Sequence, residues 1–149
     1  MAKRILLLFL IATGLMLTAC GSKEEKSVKE AVRAYNAALI EAFIKPNPDL
    51  MADVATAKQH DRVGLYIVNL MQKGQVLKGS LDSISFGKIR FEGAGKAMAD
   101  TKEEWTYAYL GPDRQPTGPS KKVRYEVTYT LLLEQGDWMV DALDIHKEK

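Results

Sequence analysis

From Lys122 to Leu133 the chain alternates without a fault. Val123, Tyr125, Val127, Tyr129, Leu131 and Leu133 fall on one side, and Lys122, Arg124, Glu126, Thr128, Thr130 and Leu132 on the other. Strict period two describes a strand with one face in a core and one face mostly solvated. Such a strand needs neighbours to pair with and a second layer over its apolar side.

The neighbours lie on both sides of it in sequence. After Gly79 the apolar period moves towards two, with Ile84 and Phe86 on one face and Ile89 and Phe91 in the opposite phase. The slip at Gly87-Lys88 predicts a bulge or sharp bend. Gly93-Ala94-Gly95 is a turn. Residues 96 to 110 read as a strand ending in Trp105, Tyr107 and Tyr109 on one face. Residues 111 to 122, rich in glycine and proline, form a polar loop. Gln135-Gly136-Asp137 turns the chain again, into a last strand from Trp138 to Ile145.

The covering layer comes from the first half. Ser27 and Glu30 fit a capping box at a helix start. Val28, Val32, Tyr35, Leu39, Ala42 and Phe43 then recur at spacings of three and four, an apolar stripe on a helix of roughly 17 residues. Lys29, Arg33, Asn36 and Glu41 lie off its centre. Pro46 stops this helix. Asn47-Pro48 is a second start signal, with Leu50, Met51, Val54 and Ala57 as a short apolar face. The polar cluster Lys58 to Arg62 predicts a break. Val63, Tyr66, Ile67, Leu70 and Met71 resume helical spacing up to a cap at Gly74. Three helices followed by about four antiparallel strands make an α+β chain, with N-terminal helices packed on a curved antiparallel sheet.

The chain has 149 residues and a formal charge of +2, an ordinary globular balance for one domain. Its first residues read as an address. Lys3 and Arg4 precede a 13-residue apolar run, Ile5 to Leu17, shorter than the ~20 residues that span a bilayer. A charged start, a short apolar core and small residues at a cleavage point describe a secretory signal peptide. The ending Leu17-Thr18-Ala19-Cys20 resembles the lipobox of bacterial lipoproteins, cut just before the cysteine.

That resemblance implies a division into a signal peptide, 1–19, a lipidated cysteine with a polar tether, 20–26, and a domain, 27–149. Cys20 is then the lipidation site, carrying acyl chains such as palmitate, and the membrane is a partner through that lipid. Two or three chains anchor firmly where one does not. Gly21 and Ser22 replace the aspartate that retains lipoproteins in the inner membrane of enteric bacteria. The expected place is therefore the cell envelope, on the periplasmic face of the outer membrane. Losing Lys3 and Arg4 leaves 19 basic and 19 acidic residues, so no nucleic-acid partner is expected. With Cys20 acylated no thiol remains for a disulfide or a metal.

The order of elements resembles the nuclear transport factor 2-like superfamily, also called SnoaL-like or cystatin-like. Its marks here are the long first helix, the helical hairpin, the bent strands and the ending Gly136-Asp137-Trp138-Met139-Val140-Asp141. Glu104-Trp105-x-Tyr107 and Tyr125-x-Val127-x-Tyr129 add to it. The likeness covers residues 27 to 146. A narrower likeness is to the C-terminal domain of the chloroplast and cyanobacterial division protein. The superfamily implies a cone-shaped domain, and its members divide into enzymes and binding modules. Its isomerases, dehydratases and cyclases place an acid or histidine inside the cone, and other members dimerise through the sheet.

No nucleophile elbow, phosphate loop, dinucleotide fingerprint or metal-ligand spacing occurs. No cofactor and no metal are expected. Among the strand acids, Asp144 shares parity with Trp138, Val140 and Ala142 and is the buried candidate for a catalytic acid. Glu126 reads as one member of a charge pair on a solvated face. His60 is a second candidate base, or part of a polar helix start with Asp61. His146 reads as an exposed tail residue. Trp105, Tyr107, Tyr109, Tyr125, Tyr129 and Trp138 form either a packed sheet core or a ligand or interface surface. The leading reading is a lipid-anchored envelope protein with a non-enzymatic ligand-binding or protein-assembly domain, its partner a second copy or another envelope protein. The alternatives are a cone-type isomerase or dehydratase using Asp144 or His60, and a periplasmic carrier of a small apolar ligand.

Overall fold

In the computed structural model the backbone is described from Ala2 and the side chains from Lys23 to Lys149. The lipobox and Cys20 lie outside the described side chains. Helix α1 (Ala2–Ile44) is followed by a single 3-10 turn (Pro48–Met51) and helix α2 (Ala57–Gln72). Four strands then run β1 (Val76–Phe91), β2 (Lys96–Leu110), β3 (Lys121–Glu134) and β4 (Asp137–Glu148). They form one antiparallel sheet in the order β1-β2-β3-β4. The fold is α+β, two helices on one face of a four-stranded meander.

Several local signals act as read. Pro46 follows the end of α1, and the Asn47 side chain accepts the amide of Asp49 at 3.1 Å. Gly74 ends α2 with φ +65°, its amide donating to Met71 O at 2.9 Å. The Gly93-Ala94-Gly95 and Gln135-Gly136 turns stand where expected. Arg114, in the loop after β2, donates Nη1 to Ile44 O at 2.8 Å. A cation on the last carbonyls of a helix satisfies an acceptor that the helix cannot.

Four expectations are corrected. Ser27 does not start a helix: α1 runs through it, and its hydroxyl donates to Lys23 O at 3.2 Å, the back-bonding of a serine inside a helix. The second helix is only a 3-10 turn, since a short apolar face without length cannot sustain an α-helix. The polar cluster Lys58 to Arg62 is no break but the first turns of α2, capped by Thr56 Oγ1, which accepts the Gln59 amide at 3.4 Å. Asn36 does not lie off the apolar stripe. It is buried beside Val32 and Tyr35, four residues on from the former.

The sheet carries register shifts that decide which side chains face inward. One, between Phe86 and Ile89, is the bulge expected at Gly87-Lys88. It returns Ile89 and Phe91 to the same face as Ile84 and Phe86, and all four pack on the core. On β4, Thr130 pairs with Ala142 and Leu131 with Val140, leaving Asp141 as an extra residue. The segment before α2 docks here: Val140 N donates to Val54 O, and Thr56 N to Val140 O, both at 3.0 Å. Asp141 fastens the joint, accepting from Thr56 Oγ1 at 2.9 Å and Lys58 Nζ at 2.7 Å. The core between the layers is centred on Val28, Val32, Tyr35, Met51, Leu131 and Val140.

Candidate functional site

Under α1 the core does not close. A cavity of about 380 Å³ opens between α1, one side chain of α2 and the inward face of the sheet. This size falls in the range of small-molecule sites, about 300–1,000 Å³. Residues of β2 and β3 at inward parity build its wall: Trp105, Tyr107 and Tyr109 from the first, Tyr125, Val127 and Tyr129 from the second. Tyr107 and Tyr109 meet edge to face at 6.0 Å. Phe43 of α1 and Tyr66 of α2 meet at 5.5 Å and close the helical side. Gly79 of β1, paired with Tyr107, contributes no side chain and leaves space there.

One acid reaches this apolar wall. Glu103 is only 3% exposed. Its Oε1 accepts from Thr101 Oγ1 and from the Tyr129 hydroxyl, each at 2.8 Å. Its Oε2 accepts from the Trp105 indole N–H at 2.7 Å. A carboxylate has about four acceptor positions, so one on Oε2 is left. Among the described residues Glu103 has no cation within ion-pair distance.

Asn36 joins the same network. Its amide lies 3.1 Å from the Tyr129 hydroxyl. That hydroxyl has one proton, and Glu103 takes it. The Asn36 NH₂ must then donate to the hydroxyl oxygen, which leaves the amide carbonyl buried without a partner. Which amide atom faces which neighbour follows from this counting. Either orientation leaves one buried amide atom unpartnered.

Four tyrosines in and beside the cavity are raised above their ordinary value. Burial pushes the Tyr66 hydroxyl up to about 12, with neighbouring Tyr109 adding to it. Burial also takes Tyr35 to about 12, opposed by the hydrogen bond from Gln59 and supported by the charge of Glu103. Tyr129 is raised further, by burial first and Glu103 second. Tyr125 is raised by burial, then by Glu148.

The structure brings five of the six expected aromatics to this cavity. Trp138 is the exception: it packs on Phe91 at 6.1 Å, at the far end of the sheet. Asp144 is exposed and faces the opposite side, because the extra residue at Asp141 reverses the parity on which its burial was expected. His60 is part of the polar start of α2, its Nδ1 3.3 Å from Asp61 Oδ1, and does not reach the cavity. Sequence reasoning passed over Glu103, though it shares parity with Trp105 and Tyr107. It also placed Asn36 outside the core.

A wider groove of about 770 Å³ lies on the other face, with Asp144 and His146 on its wall. Several of its polar groups engage one another. Arg90 gives both terminal nitrogens to Asp100, at 2.6 and 2.9 Å. Thr128 Oγ1 donates to Asp100 Oδ1 at 2.8 Å and lies 2.8 Å from His146 Nε2. Glu126 stands 3.9 Å from Lys147 on the same face, the solvated charge pair expected. Among the described residues no cluster has the composition of a metal site, and no helix is long and apolar enough to cross a membrane.

The sequence matches no family model and no curated protein. The fold has a close counterpart. The intermembrane space region of chloroplast protein ARC6 superposes with a TM-score of 0.72 at 12% identity, over 80% of this chain and 94% of that one. That likeness establishes the fold. Two looser matches are described as cystatin-like folds. A protein from Caulobacter vibrioides has a TM-score of 0.47 at 15% identity, over 80% of this chain and 89% of its own. A domain from Nostoc punctiforme has a TM-score of 0.45 at 15% identity, over 77% and 74%.

Proposed function

We propose that this chain is a lipid-anchored cell-envelope protein whose domain binds a small, largely apolar ligand in the cavity under α1. The observation that carries the reading is the cavity itself. Aromatic rings line it, its mouth is open, and a glycine stands where β1 would otherwise fill it. A core built only for stability closes such a space, since each void forfeits dispersion contacts. The anchor rests on the Leu17-Thr18-Ala19-Cys20 lipobox. A place in the envelope is in keeping with the intermembrane-space setting of the ARC6 region.

The buried acid favours one second reading, a cone-type isomerase or dehydratase. Its base would be Glu103 rather than Asp144 or His60. Against it, three donors already hold the carboxylate, and no other acid or histidine lines the cavity.

Native mass spectrometry of the chain taken from its host in native nanodiscs tests the binding reading. A small-molecule adduct that is lost in Gly79→Phe supports it. A bare domain in both forms overturns it. Intact mass also reads the anchor: Cys20→Ser should leave an uncleaved, unacylated precursor, and normal processing of that variant would exclude lipidation there.

A further inference from the structure

We infer that the cavity takes an organic cation, a protonated amine on an apolar body, with its ammonium against Glu103. The inference rests on the reading of the cavity as a ligand site and adds the charge of the ligand.

Among the described residues Glu103 is the only charged side chain on the cavity wall, and no lysine, arginine or histidine lines it. A carboxylate taken out of water is costly unless it is paired with a cation or coordinates a metal. Thr101, Tyr129 and Trp105 give it neutral donors but no countercharge. The missing partner is therefore positive, and the cavity under α1 is the apolar space beside Glu103 that is open to it. An ammonium there would meet the free acceptor position on Oε2.

The walls suit the same guest. Trp105, Tyr107, Tyr109, Tyr125 and Phe43 present ring faces and edges along the cavity. A cation within about 6 Å of such a ring is attracted by its quadrupole. The body of the ligand would bury against the same rings and against Leu39 and Leu143. An anion would meet Glu103 with like charge, and a neutral molecule would leave it without a countercharge.

The test uses the full chain in phosphatidylcholine nanodiscs and three probes of one shape: 2-phenylethylammonium, n-propylbenzene and 3-phenylpropanoate. Trp105 is the fluorescent reporter, in a Trp138→Phe background, with calorimetry as the second readout. The expected result is that the ammonium binds at least about tenfold more tightly than its neutral isostere, a difference of about 1.4 kcal/mol, and that the carboxylate does not bind. Glu103→Gln should bring the ammonium down to the isostere. Equal or tighter binding of n-propylbenzene in the wild-type domain overturns the cation and leaves the cavity reading standing. Binding of none of the three overturns both. The comparison of probes on the wild-type chain decides the matter even where Glu103→Gln does not fold.

Discussion

The hydroxyl of Tyr129 stands 2.8 Å from Glu103 Oε1, across neighbouring strands and within the core. That bond orders the rest of the network. It spends the only proton of Tyr129, turns the amide of Asn36 and sets the acid against the cavity wall. Removing Glu103 would strand three donors at once. Glu103→Ala should lose about 3 kcal/mol, since each buried donor left unmade costs about 1–3 kcal/mol and part is regained through water entering from the mouth. Glu103→Gln should lose less, because its carbonyl still accepts from Thr101 and Tyr129. Urea unfolding followed by circular dichroism measures both; equal stabilities for wild type and Glu103→Ala would contradict the network.

Acid should unfold the domain through its paired carboxylates. The hydrogen bond from Lys58, then that from Thr56, holds the Asp141 carboxyl below its ordinary value despite burial. Arg90 does the same for Asp100, and Arg124 and Lys122 for Glu104. A depressed folded value contributes stability that is present above the unfolded value, about 4, and is lost as pH falls through the folded one. Stability should thus be flat near neutrality and drop below about pH 4. Asp141→Asn should lower the plateau and make the drop shallower. A pH series of urea midpoints checks this.

Alkali acts through the tyrosines with the opposite sign. Tyr35 and Tyr66 are pushed up to about 12 by burial, and Tyr129 is raised as well, by burial first. A raised folded value contributes stability that is complete below the unfolded value, about 10, and is lost as pH rises through the folded one. Tyrosinate absorbance near 295 nm should therefore appear in two stages. The late stage belongs to the buried pair Tyr35 and Tyr129 and coincides with loss of circular dichroism.

Gly79 separates stability from binding. It stands inside a strand, and a Cβ added there meets nothing within 4 Å. Glycine in a strand interior costs roughly 0.5–1 kcal/mol against alanine, and valine suits a strand better still. Gly79→Val should stabilise the domain by about 1 kcal/mol while narrowing the cavity. A raised urea midpoint with weakened n-propylbenzene binding is the expected pair of results.

The sheet was legible because its signals are local. Alternation in β3, the glycine turns and the phase slip at Gly87-Lys88 each act within a few residues. The start of α2 was misread because the polar side chains of Lys58 to Arg62 suggested a break, whereas Thr56 supplies a cap and Gln59 finds Tyr35 across the core at 2.7 Å. The aromatic wall was visible as parity. The acid was not, for a different reason: Glu103 and Glu104 are adjacent, and only their shared or opposed parity with Trp105 separates the buried one from the one held by Arg124 at 2.6 Å. Asp144 was misplaced because nothing in the sequence of β4 announces a bulge. The cause lies some eighty-five residues earlier, where Thr56 bonds to Asp141.

That bulge gives the chain an evolutionary hinge. The extra residue at Asp141 is what turns Leu143 towards the cavity and Asp144 away from it. Were the bulge absorbed, with Asp141 paired to Thr130 and each later residue moved along by one partner, the end of β4 would turn over by one pleat, hiding Leu143 from the cavity and presenting Asp144 on the inward face. Paired acids across an apolar space are a starting point for proton-transfer chemistry. In this scaffold one step of register separates an inward leucine from an inward acid, and the bonds from Thr56 and Lys58 to Asp141 hold the register as it stands.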